Sequence, residues 1–300
     1  MKGRALPATD RWTLALHGGA GVKPGRDYAE AIAHMAKVAA SGEAMLAAGA
    51  SALDSVEQAV AAMEASGLYV AGRGSPPGPD GTAEMDAAVM DGSGLRVGAV
   101  AVIRDVSSPV AAARAVLETT PHVLLAGEGA TRFAHAAGVP AIGDRRDYFR
   151  LPVGVLQSEV EVPPGQLGHG TVGAVALDRA GRLAAATSTG GIYGKRPGRV
   201  GDTPIPGAGT WADDLLAASC TGIGEAFILS GGARDVSARM RYAGQPMQAA
   251  AEAMLAEVKR LGGDGGIIAL GPDGVPVFAW NSSGLKRAAA GSHLPLFSAV

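Results

Sequence analysis

The chain has one cysteine, few aromatic residues and no excess of positive charge. A single cysteine, Cys220, excludes an internal disulfide and a cysteine-built metal centre. It lies in "SCTG" without electropositive neighbours, so it reads as a small buried residue and not as a reactive thiol. With 26 basic and 28 acidic residues the net charge is -2, and no electrostatic footprint for nucleic acid or an anionic membrane exists. There is no uncharged apolar run of the ~18 residues a membrane span needs. The leading "MKGRALPATDRW" lacks the apolar core of a secretory signal, so a cytoplasmic location is expected. His17, His34, His122, His135, His169 and His293 include no i, i+4 pair for a metal. No Gly-x-Ser-x-Gly nucleophile elbow is present.

Small residues are what the chain has in abundance: 45 glycines and many alanines, with 47% hydrophobic residues overall. They allow close approach of strands and helices, and no Gly-X-Y period points to collagen. The length of 300 suits one large domain or two ordinary ones. "TLAL" at Thr13 to Leu16 reads as a strand entering the glycine turn "HGGAG". The alanine-rich stretch Tyr28 to Ala65 reads as two helices broken at Gly42 and Gly49, the second starting near Ser51 and Asp54. Met85 to Asp91 and Val97 to Arg104 form strands about an Asp91-Gly92 turn. Helices are expected over Pro109 to Thr119, capped by Ser107 or Ser108, and over Glu128 to Ala137. Residues 143–170 lose periodicity and read as an exposed tether. Val172 to Leu177 and Leu183 to Thr189 then form a hairpin apolar on both faces, as in a multilayer sandwich. Helices follow over Trp211 to Ala218, Arg234 to Tyr242 and Pro246 to Leu261, and "GGIIAL" with "VPVFAW" forms a hairpin about "GPDG".

"GAGTWA", Gly207 to Ala212, loosely matches a dinucleotide fingerprint, but Pro204 and Pro206 precede it where a buried strand is required. Thr171 is the better candidate. A threonine hydroxyl is a weak nucleophile that needs a base, and an N-terminal threonine carries one in its own α-amine, whose reference pKa is about 7.7–8.0. An internal threonine acquires that amine only if the chain is cut before it. Gly170 tolerates the strained backbone such a cut demands. Thr187 and Thr189, on the next strand, can face Thr171; the plain alternative is a β-favouring threonine at a strand start. Arg199 and Asp202, in "GRVGD", can hold the carboxylate and ammonium of an amino acid, or form a surface ion pair.

"HGTVGAVALDRAGRLAAATSTGG", "PGRVGD", "SCTGIGE", "GGDGGIIAL" and "HGGAG" resemble, in order, the plant-type asparaginase/isoaspartyl aminopeptidase family of N-terminal nucleophile hydrolases. The similarity runs from about Leu14 to Gly284 and includes "AEMDAAVMDG". It implies an α+β fold, a four-layer αββα sandwich. It further implies self-cleavage between Gly170 and Thr171 into an α subunit (1–170) and a β subunit (171–300), which together build one domain. By the same resemblance Thr171 is the nucleophile, Thr189 tunes it, and Thr221 with the Gly222 N–H forms the oxyanion hole. Arg199 and Asp202 bind the substrate's α-carboxylate and α-ammonium, and Gly18 and Gly19 support autoprocessing. The expected substrates are small molecules, β-aspartyl dipeptides and L-asparagine, and no cofactor takes part in catalysis. A structural sodium would be held by main-chain carbonyls drawn from Met63, Glu64, Ser66, Tyr69, Ala71 and Arg73, and the αβ units pair into a dimer. The chain departs from the family at Val70, in "YVAG" where relatives read "FNAG". That change admits an amino-acid-binding relative without turnover; a glycosylasparaginase-like amidase is a further alternative, disfavoured by the lack of a secretory signal.

Overall fold

The computed structural model describes residues 10–78, 81–160 and 170–300. The part of the expected tether at 161–169 lies outside the described residues. Its described portion contains two short helices, Arg145–Tyr148 and Gln157–Val160.

The chain runs β1 (Thr13–Ala20), α1 (Ala29–Ala47), α2 (Ala52–Ser66), β2 (Met85–Asp91), β3 (Arg96–Ile103), α3 (Pro109–Thr119), β4 (Leu124–Ala126), α4 (Gly127–Ala136), α5 (Arg145–Tyr148) and α6 (Gln157–Val160). It continues through β5 (Val172–Leu177), β6 (Leu183–Thr189), β7 (Thr210–Ala212), β8 (Ala217–Gly222), α7 (Gly224–Ser230), α8 (Gly232–Ala243), α9 (Met247–Arg260), β9 (Gly265–Leu270), β10 (Pro276–Trp280), β11 (Leu285–Gly291) and β12 (Leu294–Ala299). One sheet has the order β12-β11-β1-β5-β6-β2-β3-β4 and the other β10-β9-β8-β7.

Three apolar layers separate four structural ones. Leu14, Leu16, Val172, Ala174 and Ala176 face α1 and α2 through Met35, Val56 and Val60. Between the sheets, Ala15, Val175 and Leu177 meet Ala217, Ile268 and Leu270. Leu216, Ala218, Cys220 and Ile267 pack under α8 and α9 through Val236, Met254 and Val258. The first sheet is thus covered on both faces, which is why β5 and β6 show no polar alternation. The result is the expected α+β arrangement of two sheets between helical layers. Among the described residues no helix is long and apolar enough to cross a membrane.

Glycines set the layer spacing at two points. A Cβ on Gly98 of β3 would lie 2.2 Å from the Ala113 carbonyl oxygen and 2.4 Å from the Leu117 nitrogen of α3. Gly42, expected to break a helix, lies inside α1, because its bare face receives Leu14, whose Cδ2 would be 2.3 Å from a Cβ there. Tight packing offsets the roughly 1 kcal/mol helical penalty of glycine. Ser51 caps α2 as read, accepting from the Asp54 N–H at 3.1 Å.

The helix expected over Trp211 to Ala218 is instead a hairpin of β7 and β8. Asp213 Oδ1 accepts from the Leu215 and Leu216 N–H groups, and Oδ2 from the Trp211 indole, so the chain reverses there. Leu216, Ala218 and Cys220 face α9 while Ala217 faces the other sheet. With both faces buried, the period of two is invisible in residue type. Strands β4, β11 and β12 were not anticipated; Lys286 and Arg287, just inside the start of β11, disguise it.

Gly98→Ala should push α3 off β3 and cost about 1–3 kcal/mol. Chemical denaturation would show it as a lowered midpoint; an unchanged midpoint would mean that the α3–β3 spacing is not set by Gly98.

Candidate active site

The β-ladder places Thr171. Val172 of β5 pairs with Ser188 of β6, so Thr171, one residue ahead of the strand, comes level with Thr189. The Thr171 hydroxyl donates to Thr189 Oγ1 over a long 3.3 Å. Thr189 donates to the Gly170 carbonyl oxygen at 2.8 Å and accepts from the Gly191 N–H at 2.9 Å. A hydroxyl has one proton and two lone pairs, so Thr189 is fully used. The Gly170–Thr171 peptide is packed from behind by Gly19, which sits in a bulge between β1 and β11 at φ +97. A Cβ on Gly19 would approach Gly170 Cα and Thr171 N at 3.3 Å each. Gly18 instead packs on Tyr69 and Met35. Thr171 itself is only 5% exposed.

Arg199, Asp202, Thr221 and Gly222 come together at the start of α7. A Cβ on Gly224 would lie 2.9 Å from Asp202 Oδ1 and 3.0 Å from Arg199 Nη2. Glu225 takes Arg199 Nε and Nη2 at 2.9 and 2.8 Å, a partner that sequence spacing did not reveal. Arg199 has five N–H groups, so Nη1 remains for a ligand. Asp202 is buried with Oδ2 lacking a protein partner. Burial pushes its carboxyl up to about 7 despite the pull of Arg199. Thr221 ends β8 with its hydroxyl accepting from the Ala20 N–H at 3.3 Å, and Gly222 has φ +150, a conformation reserved for glycine.

Sequence comparison agrees with this geometry. The profile of the asparaginase family matches residues 10–294. The chain belongs to the asparaginase family. It is 43% identical to the isoaspartyl peptidase of Salmonella typhimurium, over 92% of this chain and 94% of that protein. It is 40% identical to the isoaspartyl peptidase/L-asparaginase of Homo sapiens, over 92% of each chain. A plant-type L-asparaginase of Pyrobaculum calidifontis is 42% identical, over 92% and 95%.

The structure adds three features of this family member. Thr187 does not reach Thr171 but joins a buried chain: His17 Nε2 to Ser219 Oγ at 2.9 Å, Ser219 to Thr187 at 2.7 Å, and Thr210 to Thr187 at 2.7 Å. The chain passes over Gly173, where a Cβ would strike Ser219 Oγ at 2.0 Å. Burial holds His17 down to about 3, so the ring is neutral. Four separate strands supply these groups, which no local pattern could join. Secondly, Val70 wedges against Gly170, where a Cβ would meet Val70 Cγ2 at 2.6 Å. The Val70 carbonyl also accepts from the Gly190 N–H at 2.9 Å, so the main chain is anchored although the side chain is apolar. Thirdly, "GAGTWA" leads into β7 rather than a helix N-terminus, which removes the phosphate cradle.

The coil after α2 turns carbonyls inward. A Cβ on Gly72 would lie 2.6 Å from Glu64 O, and one on Gly74 would lie 1.9 Å from Tyr69 O and 3.1 Å from Gly67 O. The Met63, Tyr69, Ala71 and Arg73 carbonyls each accept one hydrogen bond, from Ser66 Oγ and from the N–H groups of Ala71, Gly74 and Arg150. Each keeps a second lone pair. The Glu64 carboxylate turns away to Ser108 and the Val110 N–H. Uncharged carbonyl oxygens are the donor type that a hard cation takes.

Asp202 must be ionised to pair with a ligand ammonium. Titrating L-aspartate calorimetrically should therefore show Kd rising about tenfold per pH unit below about 7. A Kd independent of pH between about 5 and 8 would remove Asp202 from the ammonium.

Proposed function

We propose that this chain is an autoprocessing threonine hydrolase that cleaves β-aspartyl dipeptides and L-asparagine, releasing L-aspartate. The observation that carries the reading is the Thr189 hydroxyl, which donates to the Gly170 carbonyl at 2.8 Å while standing 3.3 Å from the Thr171 hydroxyl. In the uncut chain Thr171 Oγ adds to the Gly170 carbonyl carbon. Thr189 stabilises the developing oxyanion, a contribution of about 3–4 kcal/mol for a well-placed donor. The C–N bond breaks, the hydroxyl proton ends on the Thr171 nitrogen, and an ester joins Gly170 to Thr171 Oγ. Water hydrolyses the ester, leaving a Gly170 carboxylate and a Thr171 with a free α-amine.

That amine then serves as the base. It takes the hydroxyl proton as Oγ attacks the side-chain carbonyl of the aspartyl group, and returns it to the departing amine. Arg199 Nη1 and Asp202 hold the α-carboxylate and α-ammonium, and Thr221 with the Gly222 N–H receives the oxyanion. Ammonia leaves from asparagine and an amino acid from a dipeptide; water then releases aspartate. Sodium held by the carbonyls of the 63–73 coil would keep Val70 and the end of β6 in place, since Gly190 hangs from Val70. Two αβ units pair in this reading, and an unpaired Cys220 suits a reducing cytoplasm.

Mass analysis of purified protein should find fragments meeting at Gly170/Thr171, and an uncut Thr171→Ala chain. Thr189→Val should slow cleavage about 100-fold or more. A wild-type chain that stays whole yet binds aspartate would instead identify a binding protein without turnover. Arg199→Ala in the matured enzyme should raise KM for asparagine at least about tenfold; unchanged kinetics would end the carboxylate-clamp assignment.

A further inference from the structure

A cavity of about 50 Å³ adjoins Gly170, with Gly18, Tyr28, Val70, Tyr193 and Lys286 in its wall. It reaches the Gly170–Thr171 peptide from a side that shares no wall with Arg199, Asp202, Thr221 or Gly222. If those four read the aspartyl half of a substrate bonded at Thr171, whatever departs must lie elsewhere, and this cavity is the space available beside Gly170.

Two hydrogen-bond donors in its wall lack an acceptor. Lys286 stands on β11 between Leu285, paired with Ala20, and Arg287, paired with His17, and so faces the Gly18–Gly19 bulge. Its ammonium lies 5.3 Å from the Tyr28 ring centroid, and among the described residues no carboxylate forms an ion pair with it. The Tyr193 hydroxyl is buried without a partner. The other charges nearby are engaged: Glu159 accepts from Lys23, Arg26 and the Leu156 N–H. His17 is neutral. Loss of water lowers the Lys286 ammonium to about 8, still charged at neutral pH. The ammonium has the Tyr28 ring but no counter-ion among the described residues, and a phenol without a partner is costly to bury, so the two at one cavity point to an anion that completes them. The volume holds a few waters and leaves room for a carboxylate.

We propose that Lys286 and the Tyr193 hydroxyl form a carboxylate subsite for the leaving side of the reaction, binding the free α-carboxylate of the second residue of a β-aspartyl dipeptide. This rests on the functional reading above. The same chemistry is offered by the Gly170 carboxylate that self-cleavage creates. Ammonia, the leaving group of asparagine, carries no carboxylate, so the subsite favours dipeptides over asparagine. Val70 supplies part of the apolar wall of the cavity.

The test compares matured wild type with Lys286→Met and Tyr193→Phe on a β-aspartyl dipeptide, its C-terminal amide, and L-asparagine. The dipeptide KM should rise about tenfold in Lys286→Met and less in Tyr193→Phe. The amide and asparagine should keep their wild-type values, and Lys286→Arg should restore the preference. Equal changes for all three substrates, or none, would overturn the subsite. Unaltered matured kinetics with slower appearance of the fragments would assign the carboxylate to Gly170 and overturn the dipeptide role. A wild type that hydrolyses asparagine but no dipeptide refutes the functional reading itself, a result distinct from either.

Discussion

One hydroxyl proton organises this molecule. Thr189 spends it on the Gly170 carbonyl, at 2.8 Å, so its lone pairs are left for the Gly191 N–H and for Thr171. Thr171 can then only donate toward Thr189, and a directed line runs from the Thr171 hydroxyl to the carbonyl beside it. Much of the fold serves to keep these groups in register. The β5–β6 ladder brings Thr189 level with Thr171, the β1 bulge presses Gly19 against the peptide, and Val70 holds Gly170 from the other side. Glycine at 170 and at 19 follows from the resulting lack of room for a Cβ.

The site combines opposite solutions to burial. His17 Nε2, Ser219, Thr187 and Thr210 hydrogen-bond in a buried chain between the sheets, which ties four strands together. Asp202, Lys286 and Tyr193 are left short of partners at the rim. A group left short of a partner beside a cavity is a place where a ligand can complete it. Arg199 lies between the cases, clamped by Glu225 on one edge and open on the other.

The pairing of Thr171 with Thr189 was legible because both sit on one hairpin, where register follows from counting along "GTVGAVAL" and "LAAATST". The same reasoning overreached at Thr187, whose hydroxyl is claimed by Ser219 from the opposing sheet. Helix α3 and its Ser108 cap were read correctly because capping is local. The Trp211 to Ala218 hairpin was missed because burial on both faces removes the alternation that marks a strand. Gly42 misled for a related reason: its role is to receive Leu14, some thirty residues away in the chain, and a local rule sees only a helix breaker.

Sequence by itself determined what depends on neighbours along the chain: the glycine before a threonine, the hairpin that follows, the capped helices, and the ordered motifs of the asparaginase family. Tertiary structure alone decided what depends on groups far apart in sequence. It set Glu225 against Arg199, Val70 against Gly170, and put Lys286 and Tyr193 in the wall of one cavity. The physical reason is that register and capping act over a few residues. Burial of a charge or a hydroxyl, in contrast, is set by whichever strands the fold stacks around it.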